Sequence, residues 1–279
     1  MGQVFSINSV FDFEKRCLDA HKKILKWITD KQKIETPGDV IRPRLLAFYK
    51  HLIELYIGNS EFIVESIQKD SNLEPAGNII RTIIELYCRA MYLNNVDEKE
   101  KIKKIIGIDL YTITLLNINT PASKYITDID LKIAKSLNIT LPTIKELQEW
   151  IKEGIIDLRK SKELNDFRNN FFFSSVKKIV RNYLNEAEEP RIPKSFLYKY
   201  YLVLSDQIHG NPYLGQDKPT LSPRNRILGL LIVIHLRFLK EVSTLTNFPM
   251  EEFNSLVETW KKDLLRNFLD LWKFTELLF

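Results

Sequence analysis

Three polar side chains share one face of a predicted helix that ends at His209. Tyr201, Ser205 and His209 are spaced at i, i+4 and i+8, and Gly210 follows as a helix-ending residue. A histidine at the end of a helix interacts with the negative end of the helix dipole, which favours its charged form. Two interpretations stay open. His209 is a general acid/base or phosphate-binding group with Ser205 as its hydrogen-bonding neighbour, or it only caps the helix.

Charged residues recur at the same spacing on an otherwise apolar helix predicted over residues 75–94. Arg81, Glu85 and Arg89 are again at i, i+4 and i+8. Because isolated charges are costly to bury, we expect the glutamate to be paired. In one interpretation Glu85 meets His209 across the core, and Arg81 holds a phosphate or a substrate carboxylate. In the other, the charges form a salt-bridge network between helices.

The two motifs together resemble the signature of a known group of proteins. An Arg-x3-Glu motif followed by a Tyr-x3-Ser-x3-His-Gly motif is similar to an uncharacterised family of bacterial helical proteins, a domain of unknown function. That family occurs in mobile and defence-type gene neighbourhoods, and the resemblance covers residues 40–245. It implies a helical fold and a defence or stress context, but no established reaction. The matching positions are Arg81, Glu85, Tyr201, Ser205 and His209.

A looser likeness is to HEPN domains, helical bundles that often act as metal-independent ribonucleases in toxin and antiviral systems. Their hallmark is an arginine, a polar residue and then a histidine some four to six residues past the arginine. The chain departs from this pattern, because Arg226 is followed by an apolar residue and Arg168 has no histidine in range. Arg224 begins correctly, but His235 lies too far along. We therefore expect a module that binds a partner or ligand, with a ribonuclease that uses His209 as the alternative.

Composition is that of a globular protein without resident metal or cofactor. Among the 279 residues, 44% are hydrophobic and 28% are charged. The net charge of +5 permits contact with nucleic acid or an acidic partner without requiring it. The two cysteines, Cys17 and Cys88, have neither the spacing of a zinc site nor that of a disulfide framework, and their small number suits a reducing cytoplasm.

Apolar residues recur with helical periodicity, which predicts an all-α fold, a multi-helix bundle of about nine or ten helices. We expect a single domain over residues 1–279, with residues 117–175 as an alternative helical insert. Asp97 is a predicted N-cap and Pro223 a predicted first residue of a helix. The second predicted helix reaches at least Tyr56, and its alternatives are an extension to Gln68 or a break or kink at Gly58-Asn59-Ser60. The longest apolar run, residues 227–239, contains His235 and is too short to cross a bilayer, so it predicts a buried helix and no membrane partner.

Aromatic residues suggest where further packing surfaces lie. Phe171, Phe172 and Phe173 are consecutive and cannot share one helix face, which favours a junction between helices over an exposed patch. A final predicted helix from Pro249 carries two tryptophans on an apolar stripe. It closes the core or forms a contact surface, and we expect a protein partner or a homo-oligomer.

Overall fold

The computed structural model describes most of the chain, and the described part is built of α-helices. It covers residues 7–33, 39–69, 73–118, 120–156, 161–184, 201, 223–249, 251, 254 and 255. These residues contain no strand, so the predicted all-α class is confirmed. The number of helices in the whole chain stays a prediction. None of the helices in these ranges has the length and apolar character that crossing a membrane would require.

Two compact units make up the chain. The first is drawn from Met1–Ile34, Tyr49–Asn94 and Val176–Phe279, and the second from Glu35–Phe48 and Asn95–Ser175. The residues of the alternative insert, 117–175, all belong to the second unit. The prediction of a single domain stays a prediction.

Five helices build the described part of the first unit. They are α1 (Ile7–Gln32), the greater part of α2 (Ile41–Gln68), α3 (Leu73–Asn94), α8 (Val176–Tyr183) and α9 (Pro223–Thr246). Helix α9 packs along α3 and α1, and α3 also contacts α8. Each helix turns an apolar stripe inward, as in α1, where Cys17, Ile24 and Ile28 are fully buried.

Helix α2 runs through the glycine-containing segment where the sequence suggests a break. The extension to Gln68 is the alternative that the structure confirms, since α2 runs without a break through residues 58–60. The polar side chains of this segment bond within the helix: Asn59 Nδ2 donates to Leu55 O at 2.7 Å, and Ser60 Oγ donates to Tyr56 O at 2.8 Å. Buried apolar residues on either side, Ile53 and Ile63, add packing that outweighs the low helix propensity of a glycine.

The second unit contains α4 (Glu98–Leu115), α5 (Pro121–Ser136), α6 (Ile144–Ile156) and α7 (Lys162–Phe171), and α4 contacts the other three. Asp97 caps α4 as predicted, because its side chain accepts from Glu100 N at 2.7 Å. Arg44, from the start of α2, forms ion pairs with Asp109 and with the buried Asp130, whose Oδ1 is 2.8 Å from Arg44 Nε.

The phenylalanine run forms a junction inside the second unit, as predicted. Phe171 is buried, and the next two rings are half-buried, so the run is not an exposed patch. The closest partner ring is different for each of the three, so three consecutive large side chains pack in one region. The partner rings are Phe167 for Phe171 at 4.8 Å between centroids, Tyr111 for Phe172 at 5.0 Å and Phe48 for Phe173 at 6.3 Å.

Candidate functional site

The predicted charged face of α3 lies at the edge of the core of the first unit. Ile80, Ile83 and Ile84 are fully buried, whereas the side chains of Arg81 and Glu85 are 26% and 32% exposed. This division follows from helical geometry, since residues four apart fall on one face and the intervening residues fall on another. Both charged side chains of this face are therefore partly exposed to solvent.

Tyr201 joins the two charged residues of this face. Its hydroxyl donates to Glu85 Oε1 at 2.9 Å and accepts from Arg81 Nη2 at 3.1 Å. Arg81 Nε lies 3.4 Å from the same Glu85 oxygen, and the guanidinium carbon is 5.0 Å from the centroid of the tyrosine ring. Burial and the Glu85 carboxylate raise the pKa of the Tyr201 hydroxyl, although Arg81 opposes them. The hydroxyl therefore keeps its proton and remains a donor to the carboxylate.

The structure thus brings together Arg81, Glu85 and Tyr201, which sequence reasoning had placed in two separate motifs. Arg89 is half-buried on α3, two turns past Arg81. Ser205 and His209 lie outside the described residues, so the contact between Glu85 and His209 stays a prediction. We call Arg81, Glu85 and Tyr201 the open cluster.

A second polar cluster, which sequence reasoning missed, lies inside the first unit. It consists of Glu14 and His21 from α1, Tyr56 from α2 and His235 from α9, and all four side chains are fully buried. Polar residues that are buried this deeply need partners, because an unpaired one is costly. The one available signal was the position of His235 within an apolar run. We call these four residues the closed cluster.

Three helices contribute side chains to a row of polar contacts in the closed cluster. His235 Nδ1 is 3.0 Å from the Tyr56 hydroxyl, and His235 Nε2 is 2.5 Å from Glu14 Oε2. Burial raises the pKa of the Tyr56 hydroxyl well above its usual value, so this group keeps its proton and is able to donate it to Nδ1. When Nδ1 accepts that bond, the proton of the neutral ring lies on Nε2, which faces the Glu14 carboxyl group. Tyr56 and Glu14 therefore lie at the two ring nitrogens of His235.

His21 occupies the same core as a neutral base. Its Nδ1 is 2.7 Å from Cys17 O, and since a carbonyl only accepts, Nδ1 carries the proton. The ring stacks on Tyr56 and Phe238, with centroid distances of 5.1 and 5.5 Å. Nε2 is buried and has no hydrogen-bond partner among the described residues. Burial, with a contribution from His235, lowers the pKa of His21 to about 3.

The two clusters differ in what can reach them. No group of three His, Cys, Asp or Glu side chains in the described ranges is placed to hold a metal ion. The closed cluster has no exposed atom through which a ligand enters, whereas the open cluster has two partly exposed charged groups. No family model, curated protein or solved structure matches the chain. The open cluster is therefore the candidate functional site on the strength of its own geometry.

Proposed function

We propose that this chain is a helical module of a bacterial defence or stress system that binds a partner or ligand through Arg81, Glu85 and His209. The observation that supports the proposal is the Tyr201 hydroxyl, which bridges Arg81 and Glu85 where both remain partly exposed. The bridge fixes the arginine before a ligand arrives. Fixing a side chain in advance lowers the entropy cost of binding.

The chemistry of Arg81 indicates which group the site would accept. A guanidinium has five N–H donors, and the Tyr201 hydroxyl takes one of them. Nε is buried and faces Glu85 Oε1 at 3.4 Å, so the donors that are left lie on the two Nη atoms. They suit a carboxylate or phosphate group, which an arginine binds through two parallel hydrogen bonds. In this proposal the module is cytoplasmic and contains about nine or ten helices. Its partner is another protein, a second copy of the chain or nucleic acid. Tyr201, Ser205 and Arg89 line the same site.

Inorganic phosphate is the probe for this site. Differential scanning fluorimetry at constant ionic strength should show a melting temperature that rises with phosphate concentration, because a ligand that binds only the native state stabilises it. We expect Arg81→Met to abolish the rise and Arg42→Met, at an exposed arginine of α2, to preserve it. Equal rises in all three proteins would mean that phosphate acts elsewhere and would contradict the proposal.

The hydrogen bonds and ion pair that join Arg81, Glu85 and Tyr201 have a separate test. Glu85→Gln removes the charge that pairs with Arg81 and weakens the bond from Tyr201, at a cost of about 1–2 kcal/mol. The melting temperature should fall by several degrees. Glu65→Gln is the matched control, since Glu65 also pairs with a cation four residues away but both partners are exposed. An unchanged melting temperature in Glu85→Gln would count against the network.

The alternative function is a metal-independent, HEPN-like ribonuclease or toxin that uses His209 as acid/base, with Arg81 and Glu85 beside the scissile phosphate. Incubation of the full chain with labelled single-stranded RNA in the presence of EDTA separates the two functions. The binding module leaves RNA intact, and His209→Ala behaves in the same way. Cleavage by the natural protein that disappears in His209→Ala, without loss of folding, would overturn the binding module in favour of the nuclease.

A further inference from the structure

Exposed apolar side chains concentrate at the turn between α4 and α5 in the second unit. Of the ten large apolar side chains that are exposed in the described part of the chain, six fall between residues 115 and 131. Such concentration is unusual, because scattered exposed apolar residues are normal but grouped ones mark interaction sites. The six are Leu115, Leu116, Ile118, Tyr125, Ile126 and Leu131.

Hydrogen bonds hold the turn that carries these side chains. Leu116 N donates to Thr112 O at 3.0 Å, and Ile118 N donates to Ile113 O at 3.0 Å. Between them Asn117 adopts φ 49°, a left-handed conformation that asparagine tolerates better than most residues. The turn therefore ends α4 with its backbone groups satisfied while the Leu116 side chain remains 62% exposed.

A reciprocal capping box continues this order into α5. Ser123 N donates to Thr120 Oγ1 at 3.1 Å, and Thr120 N donates to Ser123 Oγ at 2.9 Å. Backbone hydrogen bonds at the end of α4 and the capping box at the start of α5 therefore hold the chain on each side of the turn that carries Leu116. An apolar surface on ordered backbone loses less entropy when a partner covers it.

The outward face of α5 adds positive charge to this apolar surface. Tyr125 and Leu131 are 68% and 48% exposed. Lys124, Lys132 and Lys135 are exposed with them, against one exposed carboxylate of the same helix, Asp128, so the positive charges outnumber the negative one. None of the three lysines makes an ion pair with another residue of the described ranges. We call Leu116, Tyr125, Leu131 and these lysines the α4–α5 surface.

We propose that the α4–α5 surface binds an acidic amphipathic helix of a partner protein. The apolar side chains of that helix cover Leu116, Tyr125 and Leu131, and its carboxylates pair with the lysines. Helices recognised in this way place apolar anchors three or four residues apart, and opposite charges at the rim select the partner and its orientation. This site is distinct in residues and chemistry from the open cluster.

Other occupants fit the surface less well. A second copy of the chain, joined across a two-fold axis, would bring the lysines against one another. A bilayer requires a continuous apolar stripe along a helix, but on the exposed side of α5 the apolar residues Tyr125 and Leu131 alternate with charged ones. Nucleic acid gains little from the exposed leucine and isoleucine side chains, because Tyr125 is the one ring among the six on which a base stacks.

A pair of peptides tests the proposal on the full chain. One is a labelled, twenty-residue helix with leucines at i, i+3 and i+7 flanked by glutamates, and the other replaces every glutamate with lysine. Fluorescence anisotropy should show roughly tenfold tighter binding of the acidic peptide, with the preference falling as salt is added. Leu116→Ser and Tyr125→Ser should each weaken this binding roughly tenfold. Phe62→Ser, an exposed site in the first unit, should leave it unchanged.

Several results would overturn the proposal. They are failure to bind the acidic peptide, equal binding of both peptides, and binding that survives in Leu116→Ser and Tyr125→Ser. Tyr125-dependent sedimentation with anionic phosphatidylglycerol vesicles, without preference between peptides, would assign the surface to lipid. A dimer in light scattering that Tyr125→Ser dissociates would assign it to a second copy. Arg81→Met should still bind the acidic peptide, so failure of this proposal and failure of the open cluster are distinguishable.

Discussion

The buried His21 should make the protein less stable as the pH falls below neutral. Burial lowers the pKa of His21 from 6.5 to about 3, so the native protein does not protonate this ring in mildly acidic solution. The unfolded chain, in which the ring is hydrated, does take up the proton. A base whose pKa is lowered by folding contributes stability above its unfolded pKa, and that stability is lost as the pH falls towards the folded pKa. The window for His21 therefore extends from pH 6.5 down to about 3.

The size of the effect follows from the linkage relation. Within this window the free energy of unfolding falls by about 1.4 kcal/mol per pH unit for one proton, which amounts to about 2 kcal/mol between pH 7 and pH 5. A loss of that size lowers the melting temperature of a chain of this length by roughly 4–8 °C. Other groups also titrate, so the contribution of His21 is the difference between the natural protein and a variant without the ring nitrogens.

His21→Phe provides that difference, because a phenyl ring keeps the stacking against Tyr56 and Phe238 but binds no proton. Urea unfolding followed by circular dichroism at pH 7, 6 and 5 should show that the natural protein loses about 2 kcal/mol more than His21→Phe. His51→Gln, at an exposed histidine of α2, should follow the natural protein. Parallel pH profiles for the natural protein and His21→Phe would refute the assignment of His21 as a buried neutral base.

Two further substitutions test packing and charge in the chain. A Cβ at Gly107 would lie 2.4 Å from Phe171 Cβ, so Gly107→Ala should lower the free energy of unfolding in urea by about 1–3 kcal/mol. Gly58→Ala is the control, because the space around Gly58 is open, and it should be neutral or stabilise the protein by up to about 1 kcal/mol. Similar results for both variants would contradict the close packing at Gly107. Arg44→Met leaves the Asp130 carboxylate buried without its cation and should cost about 3–5 kcal/mol at pH 7. Because burial raises the pKa of Asp130, the loss should shrink at pH 5, and a pH-independent loss would contradict the ion pair.

Features that depend on neighbouring residues could be predicted from the sequence. The N-cap at Asp97 and the start of α9 at Pro223 follow from the bonding properties of single residues at helix ends. The shared face of Arg81 and Glu85 follows from the helical repeat. For α2 the sequence leaves a break at residues 58–60 and an extension to Gln68 as alternatives, and the packing decides in favour of the extension. A local propensity decides only where packing does not, and α2 is packed on both sides of its glycine.

Contacts between distant segments could not be predicted in the same way. Glu14 and His235 are separated by more than two hundred residues, and helical periodicity says which face of each helix is apolar but not which helices meet. Each residue of the closed cluster, taken alone, is an isolated polar side chain in an apolar setting. Only the packing of α1, α2 and α9 shows that they lie against one another. The link from Tyr201 to α3 is of the same kind, since it joins residues 116 and 120 positions apart.

The contrast between the two clusters of the first unit explains why chemistry-bearing residue types alone do not locate a site. The closed cluster has the acid, histidine and tyrosine that catalysis often uses, yet burial on every side leaves it no substrate. Its polar contacts instead help to fix how three helices register, since a buried carboxyl group, imidazole and hydroxyl fit against one another in few arrangements. The described residues of the open cluster include no histidine, but its arginine and glutamate are partly exposed. Because a ligand must reach the groups that bind it, access favours Arg81 and Glu85 as the proposed site, and the tyrosine hydroxyl between them bonds to both side chains.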